Sequence, residues 1–369
     1  MTRRLLYLNG IATLFAVANH AIGWGFVAMF WWAHRFRPVV SPNFDAMYGA
    51  GYFELRFLEQ CVTFAIPAFL LVSGFFLAFA GGRSPSSGGW RVIGVRLVQL
   101  LIPFFLWSLV MVGAQIAQGQ TYAPSQLVGL FLLGQSTPAF YFIPLLVQLY
   151  LLAPILVAVG RRSPTGLLLL TAVIQIPVYV LRYAMILGML PSGGGPAGFV
   201  TAGWFFPGHV FWFALGIVIG LRSADFKLLA TRLRGWALAA VLILLPAGIL
   251  EWEWLLRHSG EPWISPRPTL LDTVFSLAVL MLFLAAGEHK FPFEKRFQAL
   301  GTKSYGVYLA HSLVLLGLAQ LTYHFAPALL GMPLAFMSLL ISGGLLGPLL
   351  LMTAVRHSPA SGAYRFLFG

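Results

Sequence analysis

From Leu8 to about Trp32 the chain carries no charged side chain, and this is the first of ten long, largely apolar runs. The others lie near 60–80, 95–115, 140–159, 166–187, 204–221, 236–254, 269–287, 304–323 and 333–355. Each is about 18 residues or longer, and at about 1.5 Å per residue a helix of that length crosses a hydrocarbon core about 30 Å thick. Lipid offers backbone groups no water, so continuous apolar runs of this kind span as helices that satisfy their own hydrogen bonds. The expected fold is therefore all-α, a polytopic membrane helix bundle of about ten transmembrane helices. Composition agrees, with 59% hydrophobic and 9% charged residues against the usual quarter charged in soluble domains. Ten spans with short loops use most of the 369 residues, so residues 1–369 are expected to form a single membrane-embedded domain. Arg3 and Arg4 stand before the first run as in a signal peptide. That run is too long and lacks a small-residue cleavage site, so it is expected to stay as the first span.

The net charge of +13 is spread in small clusters between the runs, which argues against a nucleic-acid surface. It reads instead as a topology signal. With ten spans and both termini cytoplasmic, only Arg35, Arg37, Arg56, Arg182, Arg257 and Arg267 of the 23 basic residues fall outside or in the outer part of a span. Cys61 is the single cysteine and reads as a small apolar residue, leaving neither an intrachain disulfide nor a cysteine zinc cage, and no metal is expected. A P-loop, a dinucleotide fingerprint, a G-x-S-x-G elbow and an H-E-x-x-H helix are all absent. No internal repeat of the transporter kind is evident.

Two longer segments, near 32–59 and 116–139, lie outside the spans. Each reads as a surface cap or as a surface that receives an acceptor. The run PSGGGPAG, Pro191 to Gly198, reads as a flexible outer loop.

Ionisable groups inside a membrane are costly and face a bundle interior or a water-filled cavity. His20 lies near the middle of the first span and His311 about two turns into the ninth. Each reads either as a structural imidazole bonded between helices or as an acid–base group. Ser73, with Gly74, sits in FAIPAFLLVSGFF at nearly the depth of His20. The pair permits close helix packing, and its hydroxyl could orient an imidazole or a bound acyl group. Gln148 and Tyr150 put polar groups in the fourth span. Arg91 and Arg96, with Arg83, precede the third span, as lipid anchors or as phosphate-binding forks. Arg182 is expected to snorkel outward or to pair with Glu251, Glu253 or Asp272.

Five blocks in order, LNGIATLFAVANH, LLVSGFF, the arginine-bearing lead into LLIPFFLW, FYFIPLLVQLYLLAPIL and GTKSYGVYLAHSLV, give the chain a resemblance to the acyltransferase-3 family of integral-membrane acyltransferases. The resemblance implies transfer of an acyl group, acetyl being the expected one, from cytoplasmic acyl-CoA to a hydroxyl of a sugar or other envelope or small-molecule acceptor. It implies a bacterial cytoplasmic membrane, with no nucleic-acid partner. It matches the family's catalytic histidine to His20, gives weight to His311, and points to Arg91, Arg96 and Asn9 for the donor. Asn9 stands where members usually have arginine, and Arg91 and Arg96 are five apart where members tend to have a closely spaced pair. This leaves open an altered donor, a compensating basic residue or a divergent member. Direct transfer with His20 as general base is the first mechanism and a covalent acyl-enzyme the second. The competing readings are a lipid or sugar transporter or flippase, and a non-catalytic sensor or assembly subunit of the same fold.

Overall fold

A computed structural model describes residues 2–32, 42–81, 88–191, 195–286 and 291–369, and every regular element among them is helical. In chain order these are α1 (Thr2–Phe30), α2 (Ala50–Val62), α3 (Ala65–Gly81), α4 (Gly88–Ala117), α5 (Pro124–Leu132), α6 (Phe142–Arg162), α7 (Pro164–Ile186) and α8 (Gly195–Val200). They are followed by α9 (Val210–Leu221), α10 (Ser223–Arg232), α11 (Arg234–His258), α12 (Leu270–Ala285), α13 (Glu294–Thr302), α14 (Ser304–Phe325), α15 (Pro333–His357) and α16 (Tyr364–Phe368). Among the described residues eight stretches are long and apolar enough to cross a membrane, α2 and α3 together making one of them. The shorter apolar helices α9 and α12 fall on the sixth and eighth apolar runs. The chain is a polytopic helical bundle.

Three segments expected as loops are partly helical. α2 occupies the end of the first, because AGYFELRFLEQCV buries Tyr52, Leu55, Gln60 and Val62 along one side and pairs Arg56 with Glu59 one turn on. In the second, α4 runs on to Ala117 and LVGLFLLG contributes to α5. In the third, α8 starts at Gly195 inside the glycine run, and residues 192–194 lie outside the described chain. Arg35, Arg37, Arg83 and Lys290 also lie outside it.

Contacts divide the chain into two units that interleave in sequence. The first comprises Met1–Asn9, Thr63–Val98 and Tyr141–Gln298, and the second Gly10–Val62, Gln99–Phe140 and Ala299–Gly369.

The first unit is built on α3 against α9. A Cβ on Gly74 would lie 2.1 Å from the Phe213 carbonyl oxygen, and one on Gly216 2.0 Å from that of Leu71. Backbone therefore meets backbone, the packing that small residues give membrane helices. Gln148 on α6 closes the turn ahead of α9, donating to the Trp204 (2.7 Å) and Pro144 (3.1 Å) oxygens and accepting from Phe206 N (3.3 Å).

In the second unit, Gly343, Gly344 and Gly347 of α15 form a strip. A Cβ there would meet Leu318, Val17 and Val314 respectively at 2.1, 2.7 and 2.9 Å, so α14 and the later part of α1 seat closely on α15. The C-terminal turn docks as well. Trp107 Nε1 donates to Leu367 O at 2.9 Å, and Phe368 is buried beside the indole.

Gly216→Ala is expected to lower the thermal midpoint in detergent, at a cost on the order of 1–3 kcal/mol for overpacking. Gly113, with nothing within 4 Å of its Cβ position, serves as the control, and Gly113→Ala is expected to melt as the wild type does. Equal midpoints for both variants would show that the α3–α9 contact does not limit stability.

Candidate functional site

α14 is held to the rest of the second unit by a row of hydroxyls one turn apart. The Tyr305 hydroxyl donates to Leu100 O at 2.5 Å, the Tyr308 hydroxyl donates to Ala139 O at 2.7 Å, and the hydroxyls of Ser312 and Thr137 are 3.2 Å apart. Positions three and four apart share a helix face, so this row fixes the rotation of α14. The chain it grips is the stretch from Gly134 to Phe140. Gly134 turns at φ 68°, a value that favours glycine, and Ser136, Thr137 and Phe140 are buried. This part of the second segment between apolar runs is packed against α14.

With α14 so set, His311 lies beside His20 of α1, ring centroids 5.2 Å apart and planes tilted at 41°. His311 is 1% exposed, whereas His20 is half-buried. Nδ1 of His311 lies 2.6 Å from Tyr308 O and 3.2 Å from Val307 O. Carbonyl oxygens only accept, so Nδ1 carries the proton, and in the neutral ring Nε2 is a bare lone pair. Nε2 has no hydrogen-bond partner among the described residues, and neither do the buried hydroxyls of Ser108 and Ser136 in the same unit. Buried polar atoms without partners are uncommon, and each calls for an explanation. Two imidazoles, one fixed in its tautomer and one partly open, can move a proton to and from a third group.

Ser73 and Arg96 belong to the first unit, where both reach one tyrosine. The Tyr150 hydroxyl is hydrogen-bonded to Ser73 and to Arg96, and the Arg96 guanidinium carbon stands 5.9 Å from the centre of the tyrosine ring. Arg91 is exposed and bonded to no described residue, so the two arginines do not converge. Asn9 is half-buried in α1. Gln148, a polar group of the fourth apolar run, spends its amide on the turn before α9.

Arg182 departs from expectation. It is 5% exposed, and it pairs with none of the carboxylates offered to it. Its neighbour Tyr183 takes Glu251 and also receives the amide of Leu270 (2.9 Å), while Asp272 is drawn into the cap of α12 with Thr269. Among the described residues, no group of three or more His, Cys, Asp or Glu side chains could hold a metal ion.

A family model describing an acyltransferase domain matches residues 4–353, so the chain belongs to the acyltransferase-3 family. No curated protein and no solved structure is significantly similar to it.

Nitrogen-15 histidine spectra of the protein in nanodiscs, assigned with His20→Ala and His311→Ala, are expected to show His311 as the Nδ1–H tautomer. An Nε2–H signal for His311 would mean that its carbonyl contacts do not govern the ring.

Proposed function

We propose that this membrane acyltransferase moves an acyl group, acetyl being the expected one, from acyl-CoA to a hydroxyl of a sugar or another envelope or small-molecule acceptor. The proposal takes the membrane to be the bacterial cytoplasmic one, with donor inside and acceptor outside. The observation that carries it is the adjacent pair of His20 and His311, brought together from opposite ends of a chain whose family performs acyl transfer.

In the proposed reaction His20, the more open imidazole, takes the proton of the acceptor hydroxyl as that oxygen attacks the thioester carbonyl. The C–S bond then breaks, and the proton passes to the departing thiolate as free CoA. His311 serves as a partner that holds or relays the proton through its bare Nε2, its Nδ1–H being committed to the backbone. Ser73 acts as a positioning residue, since its hydroxyl is given to Tyr150 and thereby to the setting of Arg96. For the donor, Arg91 is free to meet phosphate, whereas Arg96 is already engaged by Tyr150. Asn9 supplies a neutral amide where the family usually has a cation.

The test is acyl-CoA turnover by the purified protein in nanodiscs, following free CoA with and without hydroxylated acceptors. His20→Ala is expected to reduce turnover about 10²- to 10⁴-fold, the usual contribution of a positioned base, with its melting point kept. His311→Ala is expected to fall by a smaller factor, and Ser73→Ala to raise KM for the donor more than it lowers kcat. Normal turnover by His20→Ala would remove the histidine from the chemistry, and solute movement without an acyl product would favour a transporter. CoA released in a single burst before acceptor is added would favour an acyl-enzyme over direct transfer.

A further inference from the structure

Arg182 lies near the C-terminal end of α7, roughly 30 Å along the bundle from the basic pair Arg161 and Arg162 that ends α6. Its guanidinium stands over the Tyr179 ring at 5.5 Å from the ring centre. Nη2 makes one long hydrogen bond, 3.4 Å to Thr201 O, and Nη1 makes none among the described residues. Stacking and one long bond are a poor return for burying a permanent cation, which is ordinarily paired or heavily hydrogen-bonded.

Its neighbours worsen the balance. The guanidinium presses on Gly208, where a Cβ would come within 3.1 Å of Nη2. Gly208 immediately precedes His209, the N-cap residue of the twelve-residue α9, whose own side chain makes no cap hydrogen bond, so that Gln175 alone of the described side chains takes an amide of that first turn. A helix N-terminus carries about half a positive charge, so two positive centres adjoin, and no carboxylate among the described residues pairs with the guanidinium. Arg267 adds a third positive neighbour. The Asp272 carboxylate is felt at Tyr179 but is held in the cap of α12 and makes no ion pair with Arg182, and the groups nearest the guanidinium are otherwise neutral. The Tyr141 ring packs on His209 at 6.5 Å, and neither the Tyr141 hydroxyl nor the His209 imidazole is hydrogen-bonded to a described residue. Gln175 ties this end of α9 to α7, donating to the Tyr179 hydroxyl at 2.9 Å and accepting from Phe211 N at 3.1 Å.

We propose that this corner of the first unit is an oxyanion site. It binds a phosphate or carboxylate group, with Arg182 as the fixed charged donor, the positive end of α9 opposite it, and Tyr141 and His209 as the neutral groups that complete the cradle. Anions bind at helix N-termini for the same electrostatic reasons, and a planar guanidinium suits a two-oxygen ligand. The site is independent of the acyl-transfer reading, and its distance from Arg161 and Arg162 sets it apart from that basic end. Its ligand comes either as the headgroup of an anionic lipid or as the anionic group of a soluble molecule.

The test uses the full-length protein in a neutral detergent at constant ionic strength, with thermal midpoints measured against inorganic phosphate, lysophosphatidylglycerol and uncharged monoacylglycerol. Wild type is expected to gain a few degrees with at least one of the first two and nothing with the third. Arg182→Met is expected to lose that gain. Without anion it should melt no lower than wild type, because it removes an unpaired buried charge. A response to phosphate marks a soluble source, and a response to lysophosphatidylglycerol alone marks a headgroup. If wild type responds to neither, or Arg182→Met responds as wild type does, the proposal fails. Should Arg182→Met not fold, Tyr141→Phe decides. A rise of about 2- to 10-fold in the half-effective anion concentration supports the site, and an unchanged value overturns it.

Discussion

A side chain or backbone polar group inside hydrocarbon has no water to turn to, and its partner must be supplied by the protein. Most of this chain obeys that constraint locally. Hydroxyls in the helices bond back to the preceding turn, Thr171 to Leu167 O at 2.8 Å, Thr322 to Leu318 O at 2.8 Å and Thr353 to Leu349 O at 2.7 Å. Larger groups reach further, as Gln148 does to the turn before α9 and Tyr183 to Glu251. Against so much satisfied polarity, His311 Nε2 and Arg182 Nη1 are among the few buried atoms left without a hydrogen-bond partner among the described residues. They lie in different units and differ in chemistry. One is a basic lone pair beside a second imidazole, suited to proton movement, and the other is a permanent cation at a helix N-terminus, suited to holding charge.

The apolar runs were legible because length against bilayer thickness is a blunt and reliable ruler. α2 escaped it because its Glu54, Arg56 and Glu59 break an apolar count, although Tyr52, Leu55 and Gln60 still bury along one side. His20 and His311 could each be picked out as ionisable groups in uncharged surroundings. Their pairing could not, since no local pattern says which helix a face will meet. The nearest signal was the row Tyr305, Tyr308 and Ser312, polar positions at helical spacing that mark the gripped side of α14. Arg182 was misread for a related reason. Counting charges nominated three carboxylates, but the phenol next to it in sequence claimed one and a helix cap claimed another, neither of which a tally of charges reveals.

Adjacent residues on α3 show how one short motif serves two ends. Gly74 brings the helix backbone against α9, while Ser73, next to it, is bonded to Tyr150 of α6, which also holds Arg96. Close packing and side-chain placement therefore share a single turn, and a change at either position is felt at the other. With Arg96 secured by a tyrosine, Arg91 is the arginine left exposed at the start of α4.

The interleaving of the two units in sequence has a consequence for how the protein is made. The second unit draws on Gly10–Val62, Gln99–Phe140 and Ala299–Gly369. The ribosome therefore delivers His311 roughly 290 residues after His20, some tens of seconds at about 5–20 residues per second. Throughout that interval the first imidazole waits in the membrane without its counterpart, and the segments flanking it have no finished core to join. A nascent or truncated chain thus lacks the paired imidazoles, which meet only when the late helices arrive.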